Sequence, residues 1–245
     1  MNPLTITAVS YLNTFPFVYG IEKSGILDRF CLMLDVPSQC AENIRNGQAD
    51  IGLVPVGALP DFSSFNYIPG YCIGAVSPVR TVLLLSQKPL PEITHIHLDY
   101  DSRTSVRLVR VLANHYWKIH PEWIPLKAGE AGLSHESVVA IGDKTFNLVK
   151  KYNYVYDLAE EWIRFTSLPF VFAVWISRVP LPSDQLEVFR KALEFGVTHK
   201  KETLEYFKNR LPSGIDCLDY FEHNISYEFD ELKKKGLETF LQYIR

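Results

Sequence analysis

A turn near the start of the chain holds the residues best suited to chemistry. Ser10 to Thr14 (Ser-Tyr-Leu-Asn-Thr) are polar and aromatic, and they follow a short apolar strand, Ile6 to Val9. Thr14 suits an N-cap, and Pro16 suits the first turn of a helix, where its missing N–H is no loss. A strand that passes through a polar loop into a helix N-terminus aims free backbone N–H groups at one spot, which favours an anion. Asn13 sits there with one side-chain acceptor and two donors. An ordinary βα turn, with Asn13 in an Asx or capping role, uses the same residues.

A second stretch has the same design. His95 to Asp99 read as a strand that runs into Ser102-Arg103-Thr104-Ser105. Val106, Val109, Leu112 and Tyr116 then share one face of a helix. The hydroxyls suit an N-cap with a solvated Arg103, and they equally suit an anion site in which Arg103 grips a carboxylate with two N–H groups. Asp143 follows the strand Val138–Ile141. Ligand sites gather at the carboxyl ends of strands in parallel sheets, and an Asp there also suits the cap of a helix from Lys144 onward.

The usual catalytic apparatus is missing. Seven histidines are scattered through the chain, without a His-Glu-x-x-His or a metal-ligand spacing. There is no phosphate-binding loop and no GxGxxG. The four cysteines, Cys31, Cys40, Cys72 and Cys217, form no CxxC pair and read as reduced thiols. The expectation is a pocket of polar donors that needs no metal and no cofactor.

The elements that position these residues read as α/β. The chain has 245 residues, 47% hydrophobic, with net charge −3, which suits one large or two small globular domains and argues against a nucleic-acid binder. No apolar run is long enough to span a membrane, and the N-terminus lacks a secretory pattern, so a cytoplasmic protein is expected. Residues 32–36 read as a second strand, Pro37 to Asn46 as a helix stopped by Gly47, and Asp50 to Val56 as a buried strand. That βαβαβ order predicts a mostly parallel sheet flanked by helices. Tyr67–Val76 and Val79–Ser86 are β-rich, Asp157–Ile163 helical, and Leu168–Ile176 a long apolar strand. From Ser183 the chain reads helical. Leu186, Phe189 and Leu193 share one face, and Phe229, Leu232, Leu237, Phe240, Leu241 and Ile244 share another.

Several of these stretches carry a family resemblance. Val9-Ser10-Tyr11-Leu12-Asn13-Thr14-Phe15-Pro16-Phe17 resembles the opening motif of the chorismate dehydratase family, which serves the futalosine route to menaquinone. Further motifs follow in matching order: Gly70 to Gly74, Leu98-Asp99 with Ser102 to Ser105, Ile141-Gly142-Asp143, Asp157 to Trp162, and Leu168 to Trp175. Asn46 to Gly52 is similar to a phrase of type II periplasmic-binding-protein folds. None of the histidines falls inside a shared motif. Two positions depart from the pattern. Ser77-Pro78 replace a glycine-rich turn, and Thr81 stands where a Ser is usual but keeps the hydroxyl. Residues 181–245 match in helical character alone.

The resemblance implies a fold of two α/β lobes closing like a flytrap, each a mostly parallel sheet flanked by helices. Lobe I would comprise residues 1–90 and 177–245, and lobe II residues 91–176. The chain would cross between them near 87–93 and 174–180. It also implies an activity, the loss of water from chorismate to give 3-[(1-carboxyvinyl)oxy]benzoate. Asn13 would then be catalytic, and Ser10, Tyr11, Thr14, Thr81, Ser102, Arg103, Thr104, Ser105 and Asp143 would bind substrate. Chorismate would be the small-molecule partner, with transient contact to the next enzyme of the route. Two alternatives share the fold: 1,4-dihydroxy-6-naphthoate synthase, whose N-terminal motif differs, and a non-catalytic cytosolic solute-binding protein.

Overall fold

A computed structural model of the protein describes residues 3–99, 103–126 and 135–245. The chain opens with β1 (Leu4–Val9), α1 (Phe15–Lys23), β2 (Phe30–Asp35), α2 (Pro37–Arg45) and β3 (Ile51–Pro55). β1 lies between β2 and β3 and is parallel to both. Proline in the first turn starts each helix, and Gly47, at φ +73°, ends the turn after α2. β4 (Asn66–Ala75) then closes the first long excursion.

The middle of the chain builds a second sheet. It contains β5 (Val82–Ser86), β6 (His95–Leu98), α3 (Arg103–Val111), β7 (Glu122–Pro125), β8 (Ser137–Ile141), the short α4 (Thr145–Leu148), β9 (Tyr154–Asp157) and α5 (Leu158–Thr166). The strand order is β7-β6-β8-β5-β9. β10 (Phe170–Ser177) returns to the first sheet. It is followed by α6 (Ser183–Thr198), α7 (Lys200–Tyr206), α8 (Cys217–Asp219), β11 (Ser226–Glu228) and α9 (Glu231–Ile244). The first sheet therefore runs β11-β4-β10-β3-β1-β2.

Two expectations need correction. Both sheets are mixed rather than mostly parallel. β10 is antiparallel to β3 and to β4, and β5 is antiparallel to β8 and to β9. Strands that carry the chain from one sheet to the other run against the βαβ units they join. The crossings also lie elsewhere. β5 belongs to the second sheet and β10 to the first, so the chain crosses at 76–81 and 167–169, rather than at 87–93 and 174–180. Both crossings contain a non-glycine residue with a left-handed backbone, Arg80 at φ 63° and Ser167 at φ 59°. Such backbone is costly and persists where the surroundings fix it. At Arg80 the fixing group is Asp157, whose carboxylate accepts the Arg80 N–H at 2.7 Å. The same carboxylate caps α5 by accepting from Ala159 N–H and Glu160 N–H.

The core is continuous from one sheet to the other. All eight residues of β10 are buried, and Trp175 packs edge-on to Phe17 of α1 and Phe189 of α6. α1 and α6 cross almost backbone to backbone. A Cβ on Gly196 would lie 1.7 Å from the Pro16 carbonyl oxygen, and one on Gly20 would lie 2.0 Å from that of Ala192. α9 buries Leu237 and Phe240 as its pattern predicts, but Leu232 is exposed and Lys233 is buried instead. The Lys233 ammonium reaches back 2.6 Å to Asp230, the N-cap of its own helix. No helix among the described residues is long and apolar enough to cross a membrane.

Candidate functional site

A cleft between the two sheets collects most of the residues singled out in the sequence. It lies at the carboxyl ends of β1, β3 and β8, where open α/β sheets place their ligands. Tyr11, Asn13 and Thr14 enter from the β1–α1 turn, Thr81 from the first crossing, and Thr104 and Ser105 from the first turn of α3. Phe172 and Ala173 of β10 form part of the apolar wall. The cavity within the cleft is about 60 Å³. A larger hollow of about 360 Å³ lies outside the first crossing, lined by Pro78, Arg80 and Lys150 among others, but among the described residues none of the predicted site residues faces it.

Asn13 is held as a donor. Leu12–Thr14 form a tight 3-10 turn before α1. The Thr14 hydroxyl donates to Asn13 Oδ1 at 3.1 Å, so the two amide N–H groups of Asn13 are left for the cleft. Thr14 thus does not cap α1 through its side chain as expected; its hydroxyl serves its neighbour instead. The Asn13 carbonyl accepts a bond from the buried Tyr227 hydroxyl at 3.1 Å, which ties the turn to the segment just after β11 begins. The Tyr11 ring lies against Gly142, where a Cβ would meet ring atoms at 3.4 Å and the backbone is left-handed at φ +70°. Glycine suits both demands at that point.

Thr81 is buried at the end of the first crossing. Its carbonyl accepts from Gly142 N–H at 2.9 Å, and its hydroxyl lies 2.9 Å from that of Tyr220. Thr104 lines the cleft, but its hydroxyl is engaged on the other side. It accepts from Gly57 N–H at 3.0 Å and donates to the Phe172 carbonyl at 3.2 Å. A Cβ at Gly57 would stand 2.7 Å from the Thr104 backbone, so α3 rests directly on the 3-10 turn Val56–Asp61. Ser105 is buried and lines the cleft.

Three predicted residues stand elsewhere, and a fourth is not described. Arg103 neither lines the cavity nor hangs in solvent. It bridges Asp61 at 2.5 Å and Glu42 at 3.1 Å, and Arg107 joins Asp61 at 3.5 Å. These pairs fasten α3, over the second sheet, to α2 and the Val56–Asp61 turn of the first. Asp143 is also absent from the lining. Its carboxylate accepts from Leu12 N–H at 3.4 Å, and it leaves α4 without a side-chain cap. Burial raises the Asp143 pKa, against the smaller opposing pull of that N–H. Ser10 joins β1 to β2 through its N–H, which donates to the Asp35 carbonyl at 3.0 Å. Ser102 lies outside the described residues.

Among the described residues no histidine lines the cleft. His97 instead stacks on His135 and meets His95 edge-on, on the second sheet. Tyr220 and Tyr227, which touch Thr81 and Asn13 from behind, were missed in the sequence. The one available signal was general: a buried tyrosine needs a partner for its hydroxyl.

Comparison with known proteins agrees with this architecture. A protein of Archaeoglobus fulgidus with a solved structure superposes with a TM-score of 0.76 over 98% of this chain and 96% of its own, at 11% identity. A Candida albicans gene product, described as exhibiting the generic periplasmic binding protein structural fold, gives 0.61 over 99% and 90%, at 10% identity. The two-lobed periplasmic-binding-protein fold is therefore shared. In sequence, the chain is 25% identical to the chorismate dehydratase of Thermus thermophilus, over 99% of this chain and 95% of that protein. A family model described as menaquinone biosynthesis matches residues 4–245, and the chain belongs to that family.

Proposed function

We propose that the protein is a chorismate dehydratase that releases 3-[(1-carboxyvinyl)oxy]benzoate and water. The observation that carries this reading is the convergence of Asn13, Thr81 and Ser105 from three separate elements on one cavity. It is supported by similarity to a chorismate dehydratase along nearly the whole chain.

The reaction breaks the C4–oxygen bond and the C3–H bond, and the ring becomes aromatic. The ring carboxylate is conjugated with the breaking C3–H bond, which favours early loss of that proton and a carbanion-like path. No histidine or lysine among the described residues lines the cleft, and the Asp143 carboxylate faces Leu12. The substrate has a base of its own: the enolpyruvyl carboxylate, tethered through O3 beside the C3–H. The tether gives an effective concentration worth on the order of several kcal/mol. Exclusion of water raises the basicity of that carboxylate. The protein then supplies geometry and donors. The free amide hydrogens of Asn13 face the oxygen that gains charge as the C4–oxygen bond opens, and the proton taken up by the side-chain carboxylate passes to that oxygen, so that water leaves and the carboxylate is restored.

A paired assay tests this mechanism. Chorismate should be consumed, whereas its side-chain carboxamide, a poor base, should bind and survive. Turnover of both at equal rates would place the base on the protein and refute the substrate-assisted path.

The cavity of about 60 Å³ is well below the ~300 Å³ at the small end of ligand pockets, so the lobes must part to admit chorismate. Arg103 is then a clasp rather than a substrate ligand. Its pairs are partly exposed, so each is worth no more than about 1 kcal/mol. Arg103→Ala should shift the free protein toward an open form, seen as a larger radius of gyration in small-angle scattering, and should raise KM about fivefold with kcat little changed. Identical scattering profiles and an unchanged KM would rule the clasp out.

A further inference from the structure

We propose that Tyr220 is a positioning residue that fixes the Thr81 hydroxyl as a hydrogen-bond donor to the ligand; the inference rests on the dehydratase reading for the identity of that ligand. Tyr220 is fully buried, and its hydroxyl lies 2.9 Å from Thr81 Oγ. Among the described residues that oxygen is the one hydrogen-bond partner of the phenol. A buried phenolic hydrogen needs an acceptor, and Thr81 Oγ is the acceptor within reach. Tyr220 therefore donates and Thr81 accepts.

The direction of that bond decides what Thr81 can do. With its oxygen accepting from Tyr220, the Thr81 hydrogen must turn elsewhere. Within the protein its alternative is the Val79 carbonyl at 3.4 Å, a long contact. Thr81 also lines the cleft, so a ligand oxygen that carries or gains negative charge offers a shorter and stronger acceptor. A chain of two hydroxyls pointing the same way polarises both bonds and strengthens the last donor. The arrangement is rigid at each end. Gly142 N–H holds the Thr81 carbonyl, and the Phe146 ring meets the Tyr220 ring edge-on with centroids 5.7 Å apart. Tyr220 opens a π-helical turn, Tyr220–Asn224, directly after α8, whose first N–H groups are capped by Asp216. Such turns are rare and re-aim side chains.

A mutant cycle with a spectroscopic control tests the assignment. Tyr220→Phe keeps the ring and removes the donor, and should lower kcat on chorismate about tenfold with KM little changed. In a Thr81→Ser background, which keeps the acceptor, Tyr220→Phe should cost the same factor. In a Thr81→Ala background it should cost nothing further, because the chain is already cut. A merely structural role predicts equal losses in all three backgrounds, and that result would overturn the proposal, as would a Tyr220→Phe enzyme within twofold of wild-type kcat. The wild-type protein gives a reading that depends on no variant and on no substrate. The Tyr220 hydroxyl proton should appear in NMR as a slowly exchanging signal with cross-peaks to the Thr81 side chain; no such signal would refute the bond. A wild-type protein that leaves chorismate untouched would refute the dehydratase reading, while the NMR signal would still decide the Tyr220–Thr81 pairing.

Discussion

Asn13→Ala is expected to lower kcat on chorismate by about 10²-fold and to leave the fold standing; that is the scale for losing one preorganised donor at a developing charge. The size follows from the way the side chain is held. Thr14 occupies Asn13 Oδ1, and Tyr227 pins the Asn13 carbonyl, so the amide hydrogens reach the cleft without reorganisation. Truncation removes those donors, while the turn keeps its backbone bonds, including Thr14 N–H to the Tyr11 carbonyl at 3.0 Å. Circular dichroism should therefore match wild type, with Tm lowered by no more than a few degrees for the Thr14 hydroxyl that loses its acceptor. Activity within twofold of wild type would remove Asn13 from the catalytic role.

Gly196→Ala should have the largest effect on stability. The added Cβ would lie 1.7 Å from the Pro16 carbonyl oxygen and 2.9 Å from Gly20 N, all of it backbone that no rotamer change can move. Overpacking a core costs typically 1–3 kcal/mol, and a clash with backbone belongs at the upper end, about 3 kcal/mol. For a chain of this length that lowers Tm by roughly 6–12 °C. Activity should fall as well, since pushing α1 away from α6 moves the helix start that carries Asn13 and Thr14. A thermal melt and a chorismate assay on the same preparation check both halves. An unchanged Tm would mean that α1 and α6 do not meet as closely as described.

Local patterns were sufficient for the elements that begin the chain. β1, the Asn13 turn, α1 and α2 follow from an apolar run, a polar loop and prolines placed at helix starts, all signals carried within a few residues. The same holds for β10, whose unbroken apolar run matches a strand buried on both faces. Sheet membership is a different matter. Val82 to Ser86 are apolar enough for a central strand, and they form one, but nothing in that run says which sheet receives it. The answer lies in pairing with β8 and β9, more than fifty residues later, and the misplaced crossings follow from that. β7, β9 and β11 have only three or four residues each and carry too short a pattern to read.

The residues of the candidate cleft were legible where motif and geometry coincide. Tyr11, Asn13, Thr14, Thr81, Thr104 and Ser105 all reach the cleft. Arg103 and Asp143 misled because a charge at a helix start or strand end has the same local spelling whether it meets a ligand or another part of the protein. Their partners, Asp61 with Glu42 and the Leu12 N–H, are distant in sequence. Leu232 misled for another reason. It shares the apolar stripe of α9 but lies just beyond the covered face, while Lys233 enters the core because Asp230 is placed to receive its charge. The two tyrosines behind Asn13 and Thr81 come from the segment with the weakest resemblance, so the supporting side of the site could be found only in three dimensions.

Product identification by NMR tests the central claim most directly. Chorismate incubated with the purified wild-type protein should give the aromatic ring signals of 3-[(1-carboxyvinyl)oxy]benzoate, with the two vinyl protons of the side chain retained, and Asn13→Ala should form about a hundredth as much over the same initial period. Chorismate recovered unchanged, or a product that has lost its side chain as pyruvate, would contradict the account.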